Sequence, residues 1–170
     1  SMQNPYNYMI NREFINEEND FPSVKCFNSA IDFLNLNKNA DDWFLQIETF
    51  DPHEPFFAPE RLKERFKTNY KGPILDWPRY NRVTEDQDHI DEIRANYMAL
   101  LSLCDELLGK LLDYFDEHNL WKDTTLIVGT DHGFLLGEHD WWAKNRMPLY
   151  EEISHIPLFF YHPKYSDKAG

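Results

Sequence analysis

One apolar stripe constrains this chain more than any other feature. From Ile90 to Phe115, the residues Ile93, Tyr97, Leu100, Leu101, Cys104, Leu107, Leu108, Leu111, Leu112 and Phe115 recur at spacings of three and four. That period belongs to a long α-helix with one broad face turned to a core. The stripe needs cover, and two continuous apolar runs can supply it, Thr124–Thr130 (TTLIVGT) and Ile156–Tyr161 (IPLFFY). Unbroken runs of this length suit strands buried on both faces. A third segment, Trp43–Phe50 (WFLQIETF), is strand-like in its aromatic and β-branched content. Trp43, Leu45 and Ile47 share one of its faces, and Phe44, Gln46, Glu48 and Phe50 share the other. The order strand, long helix, buried strand, loop, buried strand predicts an α/β fold with a mainly parallel sheet flanked by helices.

The rest of the chain reads as connection and lead-in. Ser1-Met2 looks like a cloning remnant, and residues 1–21 form a polar, aperiodic strap. Cys26, Phe27, Ala30, Ile31 and Leu34 follow a helical spacing that Ser23 can cap and that ends near 35–39. Pro59–Phe66 suits a short helix, while 68–89, with Pro73 and Pro78, reads as a long surface excursion. At 170 residues this is one domain, spanning 22–165, followed by a tail at 166–170. The balance of 17 Lys+Arg against 30 Asp+Glu, a net charge of −13, excludes a nucleic-acid partner and a polybasic membrane surface. No apolar run is long enough to span a bilayer, no signal-peptide core opens the chain, and the compartment stays open. Two cysteines, Cys26 and Cys104, are too few for a disulfide framework.

Chemistry gathers at two strand ends, where ligands bind in open α/β sheets. WFLQIETF is followed by Asp51-Pro52-His53-Glu54-Pro55, and TLIVGT by Asp131-His132-Gly133 and then Gly137-Glu138-His139-Asp140-Trp141-Trp142-Ala143-Lys144. Adjacent Asp131 and His132 offer a metal one oxygen and one nitrogen, Gly133 lets the backbone turn away, and Lys144 can hold an anion. Each has a plainer reading. Asp-His at a strand end also makes a turn, His53 between prolines also serves a loop, and an isolated lysine is by default a solvated surface residue. Trp141 and Trp142 read as packing, and His118 and His155 as structural.

Taken together, FDPHEPF (50–56), the stretch from Tyr97 to Lys144 and YEEISHIPLFFYHP (150–163) resemble the sulfatases of the alkaline-phosphatase-like superfamily. The resemblance runs in order from about Pro22 to Pro163. It implies a metal-dependent sulfuric ester hydrolase in which Asp131 and His132 are metal ligands. His53 touches the sulfate or leaving-group oxygen, Lys144 bridges the sulfate, and His139 lies near the substrate mouth. The family's cation is most often calcium, although a nitrogen ligand moves preference toward manganese or zinc. The expected substrate is a sugar or aryl sulfate, with the loops 54–89 and 134–150 setting the choice.

One departure is large. The family's nucleophile is a formylglycine made within Cys/Ser-x-Pro-Ser-Arg, and that motif is absent: Cys26 lies in Lys25-Cys26-Phe27-Asn28-Ser29. Asp41-Asp42 precede a strand and cannot replace the acidic ligands that end the family's first strand. The expectation is therefore a partial sulfatase-like domain lacking its N-terminal half, inactive alone and prone to self-association through exposed sheet edges. Two alternatives stay open, a phosphonate monoester or phosphodiester hydrolase of the same superfamily and a non-catalytic anion-binding module.

Overall fold

Helix α4 (Gln87–Glu117) is the spine on which everything else is laid. Asp86 caps it by accepting the amide N–H of His89 at 3.1 Å, which satisfies one of the open donors of the first turn. Along its stripe Ile93, Ala99, Leu100, Leu103, Leu107, Leu111 and Phe115 are buried, while Leu101 is 43% exposed, so the buried face is narrower than the sequence spacing implies. The computed structural model describes residues 5–167, with side chains from Tyr8 onward. Ser1-Met2 and residues 168–170 of the expected tail lie outside the described residues.

Two apolar clusters divide the spine. Toward its start and middle, Phe21, Val24, Phe56, Ala58, Leu62 and Trp142 pack against Ile93, Leu100 and Leu103. Toward its end, Leu34 and Leu120 join Leu111, Tyr114 and Phe115, with Trp43, Leu45, Ile47 and Leu126 at the margin. Burying each such side chain contributes about 1.5–3 kcal/mol. Helix α2 (Pro22–Asn37) lies along both clusters and begins two residues earlier than a Ser23 cap implies, because Pro22 is preset for the first helical position. Ser23 is therefore not the cap. It is buried inside the first turn, where its hydroxyl donates to the Asp51 carboxylate.

A short helix α3 (Glu60–Lys63) follows Pro59, as the sequence suggests. The lead-in, expected to be irregular, contains helix α1 (Pro5–Arg12). This helix carries no long apolar stripe to announce it. It docks through Tyr8 on Trp77 and through Arg12, which pairs with Asp76 and lies over the Phe57 ring. The expected 68–89 excursion ends at residue 86, just before α4 begins, and is irregular up to there yet tied down. Asn96 donates to the Leu75 carbonyl at 3.0 Å, and the Trp142 amide donates to the Asn81 carbonyl at 3.0 Å.

The α/β character stands, but the mainly parallel sheet does not form among the described residues. Strand β1 (Leu126–Gly129) pairs antiparallel with β4 (Leu158–Tyr161), with Leu126 opposite Tyr161 and Gly129 opposite Leu158. Between them lie only a hairpin of β2 (Leu135–Leu136) with β3 (Trp142–Ala143) and the four-residue helix α5 (Glu151–Ser154). A parallel return needs a long crossover, usually helical, and this connection has none. Residues 43–50 alternate in burial as expected but join no ladder. The two apolar runs are not covered on both faces either. Ile127, Leu158, Phe159 and Phe160 are each 60% exposed or more. No described helix is long and apolar enough to cross a membrane.

Candidate active site

Both chemistry-bearing loops leave the ends of extended segments. After residue 50 the backbone turns at once, and the His53 amide donates to the Phe50 carbonyl at 3.0 Å. The His53 ring packs against Phe50 at 4.1 Å and meets Trp77 edge-on at 6.5 Å. Its Nδ1 lies 2.7 Å from the Glu54 carbonyl oxygen. A carbonyl only accepts, so Nδ1 carries the hydrogen, and the neutral ring leaves a lone pair on Nε2. Burial pushes the Asp51 carboxyl above its ordinary range, against the opposing hydrogen bond from Ser23 and the charge of His53.

The second loop repeats this device. His132 Nδ1 lies 2.9 Å from the Gly133 carbonyl, which again frees Nε2. Asp131 Oδ1 accepts the His132 amide at 2.9 Å, and Oδ2 lies 3.4 Å from His132 Nε2. Gly133 is required for space, not for an unusual dihedral. A Cβ there would lie 1.7 Å from the Glu152 carbonyl oxygen, while the Gly133 amide donates to Ile153 at 2.8 Å. The Asp131 carboxyl is held below its ordinary range. Desolvation opposes this, but the charge of His132, the amides of His132 and Asp131, and the charge of Lys144 outweigh it. A carboxylate beside an imidazole lone pair fits a divalent cation as two of its ligands. No group of three or more His, Cys, Asp or Glu able to hold a metal occurs among the described residues.

Lys144 departs most from its plain reading. It is only 6% exposed, follows directly on β3, and has no hydrogen bond or ion pair among the described residues. Its Nζ lies 5.7 Å over the Phe134 ring, and Phe134 in turn meets Phe56 of the first loop edge-on at 5.5 Å. One aromatic ring thus joins the two loops. The backbone around Lys144 is strained, since His139, Asp140, Ala143 and Asn145 all have positive φ without being glycine. Such residues cluster where function over-determines the chain.

His139 is placed differently. It stacks on Tyr150 at 3.9 Å, and its Nε2 lies 3.1 Å from both oxygens of Glu152. The structure therefore links Asp131, His132 and Lys144 electrostatically, joins the loop that carries His53 to Phe134 through Phe56, and engages His139 with Glu152. Trp142 is fully buried with its indole N–H donating to Glu85 at 2.8 Å, in keeping with packing. His118 packs on Tyr114. Cys104 is no ready nucleophile, since burial and the Asp51 charge push its thiol up to about 12. Sequence reasoning missed Glu54, Tyr80 and Phe134. Only their meeting in space marks them.

Comparison with known proteins follows the same lines. The family model described as Sulfatase matches residues 1–168. An arylsulfatase of Clostridium perfringens is 26% identical over 173 residues, covering 92% of this chain and 35% of that protein. The multifunctional alkaline phosphatase superfamily protein PehA of Trinickia caryophylli is 41% identical over 130 residues, covering 60% of this chain and 25% of that one. Among solved structures, a Bacteroides fragilis crystal structure described under the sulfatase name yidJ superposes with a TM-score of 0.67 at 26% identity, covering 84% of this chain and 31% of its own. The chain thus spans about a third or less of the length of these relatives.

Proposed function

This chain belongs to the sulfatase family, and from that premise we propose that it supplies the anion-gripping part of the active site of a sulfuric ester hydrolase. The observation that carries the reading is Lys144, a residue only 6% exposed whose ammonium group has no hydrogen bond or ion pair among the described residues. A lysine held against an aromatic ring without a counter-charge would gain one from an arriving sulfate. The bound anion would then be held where charge develops on the leaving oxygen. His53 presents Nε2 on a ring fixed by Phe50 and Trp77, suited to exchanging a proton with the leaving-group oxygen. Asp131 and His132 would hold a divalent cation, calcium by family habit and manganese or zinc by its nitrogen ligand, whose charge would steady the nonbridging oxygens.

Two ligands make a weak metal site. We infer that the remaining ligands and the formylglycine nucleophile belong to other parts of a longer catalytic domain, and that residues 1–170 alone do not turn over a sulfate ester. The sum of short coverage of the relatives and an incomplete ligand set supports this. The open face of β1 and β4 would be covered by the rest of that domain or, in the isolated chain, by a second copy.

An aryl sulfate or sugar sulfate is the substrate class. A second reading, a phosphonate or phosphodiester hydrolase of the same superfamily, is kept open by the 41% identity to a protein described as a multifunctional member of the alkaline phosphatase superfamily. The test is turnover of an aryl sulfate and a phenyl phosphonate ester by the full-length protein, with and without EDTA. Metal-dependent sulfate release that disappears in Lys144→Ala supports the first reading. Phosphonate turnover with no sulfate release replaces it with the second.

A further inference from the structure

Glu54 is the most improbable side chain in the molecule on electrostatic grounds. Its carboxylate has 0% exposure, and among the described residues no lysine or arginine pairs with it. Oε1 accepts the Tyr80 hydroxyl. Oε2 is buried without a well-aligned hydrogen bond and lies 3.3 Å from His53 Nδ1. Burying a carboxylate this completely is unfavourable, and a glutamine or an apolar residue would fill the same volume without the charge. Nothing in the packing of Phe56, Ala58 and Leu62 calls for it.

The geometry around His53 does call for it. The Nδ1 hydrogen goes to the Glu54 carbonyl at 2.7 Å, and the Glu54 carboxylate stands beside it, with Oε2 at 3.3 Å from Nδ1 and no hydrogen bond of its own. The ring packs against Phe50 and meets Trp77 edge-on, and the other charged group nearby, Asp51, is engaged by Ser23. A negative charge set behind a histidine holds one tautomer and one ring orientation, as partners behind metal-bound histidines do.

We propose that Glu54, anchored by Tyr80, is a positioning residue that locks His53 in its Nδ1–H form and so keeps Nε2 presented outward. The lock itself is independent of the sulfatase reading; only the identity of what Nε2 faces rests on that reading.

The test is nitrogen-15 NMR of the His53 imidazole in the 170-residue chain, at a pH where the ring is neutral. In the unaltered chain Nδ1 carries the proton, and that proton exchanges slowly with water. Glu54→Gln replaces a fixed acceptor with an amide that can also donate, so an Nε2–H fraction appears and exchange of the Nδ1 proton quickens at least about ten-fold. Tyr80→Phe removes the donor that holds the carboxylate, which is then left to accept from His53. The Nδ1 proton then moves downfield and exchanges more slowly. Loss of packing alone would move both variants the same way. An unchanged tautomer and exchange rate in a folded Glu54→Gln, or parallel shifts in both variants, overturns the proposal. Should Glu54→Gln fail to fold, Tyr80→Phe decides alone, with a downfield, slower proton in favour and any other result against. Absence of sulfate-ester turnover by the full-length protein would remove the functional reading and leave this result standing.

Discussion

His53 and His132 are held by the same device and left in opposite surroundings. Each ring donates through Nδ1 to the carbonyl of the residue that follows it, which frees Nε2. Behind His53 stand a wholly buried carboxylate and two aromatic rings. Beside His132 stands Asp131, whose side chain is 83% exposed. The difference separates a finished part of a site from an unfinished one. His53 and Lys144, proposed to meet the anion, pack against aromatic rings, whereas Asp131 and His132, proposed to hold the metal, face outward with no third ligand among the described residues.

The sharpest way to probe the finished side is Lys144→Ala in the full-length protein, which is expected to lower kcat/KM by about 10²–10³-fold. In the isolated chain the same site has the opposite sign. Lys144→Met replaces an ammonium that has no ion-pair partner among the described residues with an apolar side chain against Phe134, and is expected to raise stability by about 1 kcal/mol, read as a higher urea midpoint. Loss of stability in Lys144→Met would show that the lysine is already satisfied and would erase the contrast between the two loops.

Gly133→Ala attacks the unfinished side through its scaffold. With backbone of Glu152 in the way, the added methyl cannot be absorbed by a flexible side chain. A loss of about 2–4 kcal/mol is expected in thermal unfolding, with Asp131 and His132 displaced together. An unchanged melting temperature would mean that the loop does not pack against α5.

Smaller effects come from pH. The Asp51 carboxyl is raised by burial, so the folded state holds its proton longer than the unfolded one. Its stabilising contribution is complete below the ordinary carboxylate range and is lost as pH rises from that range through the raised value, by at most about 1.4 kcal/mol per pH unit. Asp51→Asn should abolish that slope in denaturant titrations between pH 4 and 7. At the surface, hydrogen bonds from Arg61 hold Glu18 and Glu106 below their ordinary range. That contribution is present above the ordinary value and fades as pH falls. Exposure limits it, so Arg61→Met should cost at most about 1 kcal/mol, less in high salt.

How much of this was legible depended on whether the signal was local. The spacing from Ile93 to Phe115 announced α4 because a helix records its burial in consecutive turns. Residues 43–50 announced their two faces in the same way, and the burial pattern agrees. Strand direction is not local. IPLFFY reads alike whether it pairs parallel or antiparallel, so the expected parallel sheet gave way to the β1–β4 ladder. The pairs FDPHEPF, with His53, and DHG, with Asp131 and His132, stood out because their residue types are chemical. Glu54 did not, because a glutamate between prolines reads as a solvated loop, and its partner Tyr80 reaches it from the distant excursion. The burial of Lys144 was equally hidden, since Phe134 covers it from another turn of the chain.

Asp131 and His132 are proposed as two metal ligands that need others from a longer protein. Calorimetric titration of calcium and manganese, into residues 1–170 and into the full-length protein, tests this most directly. The expected result is no binding tighter than about millimolar by the chain alone, with tight binding by the full-length protein that Asp131→Ala and His132→Ala abolish. Micromolar binding by residues 1–170, lost in the same variants, would show a complete metal site within this chain and contradict the account.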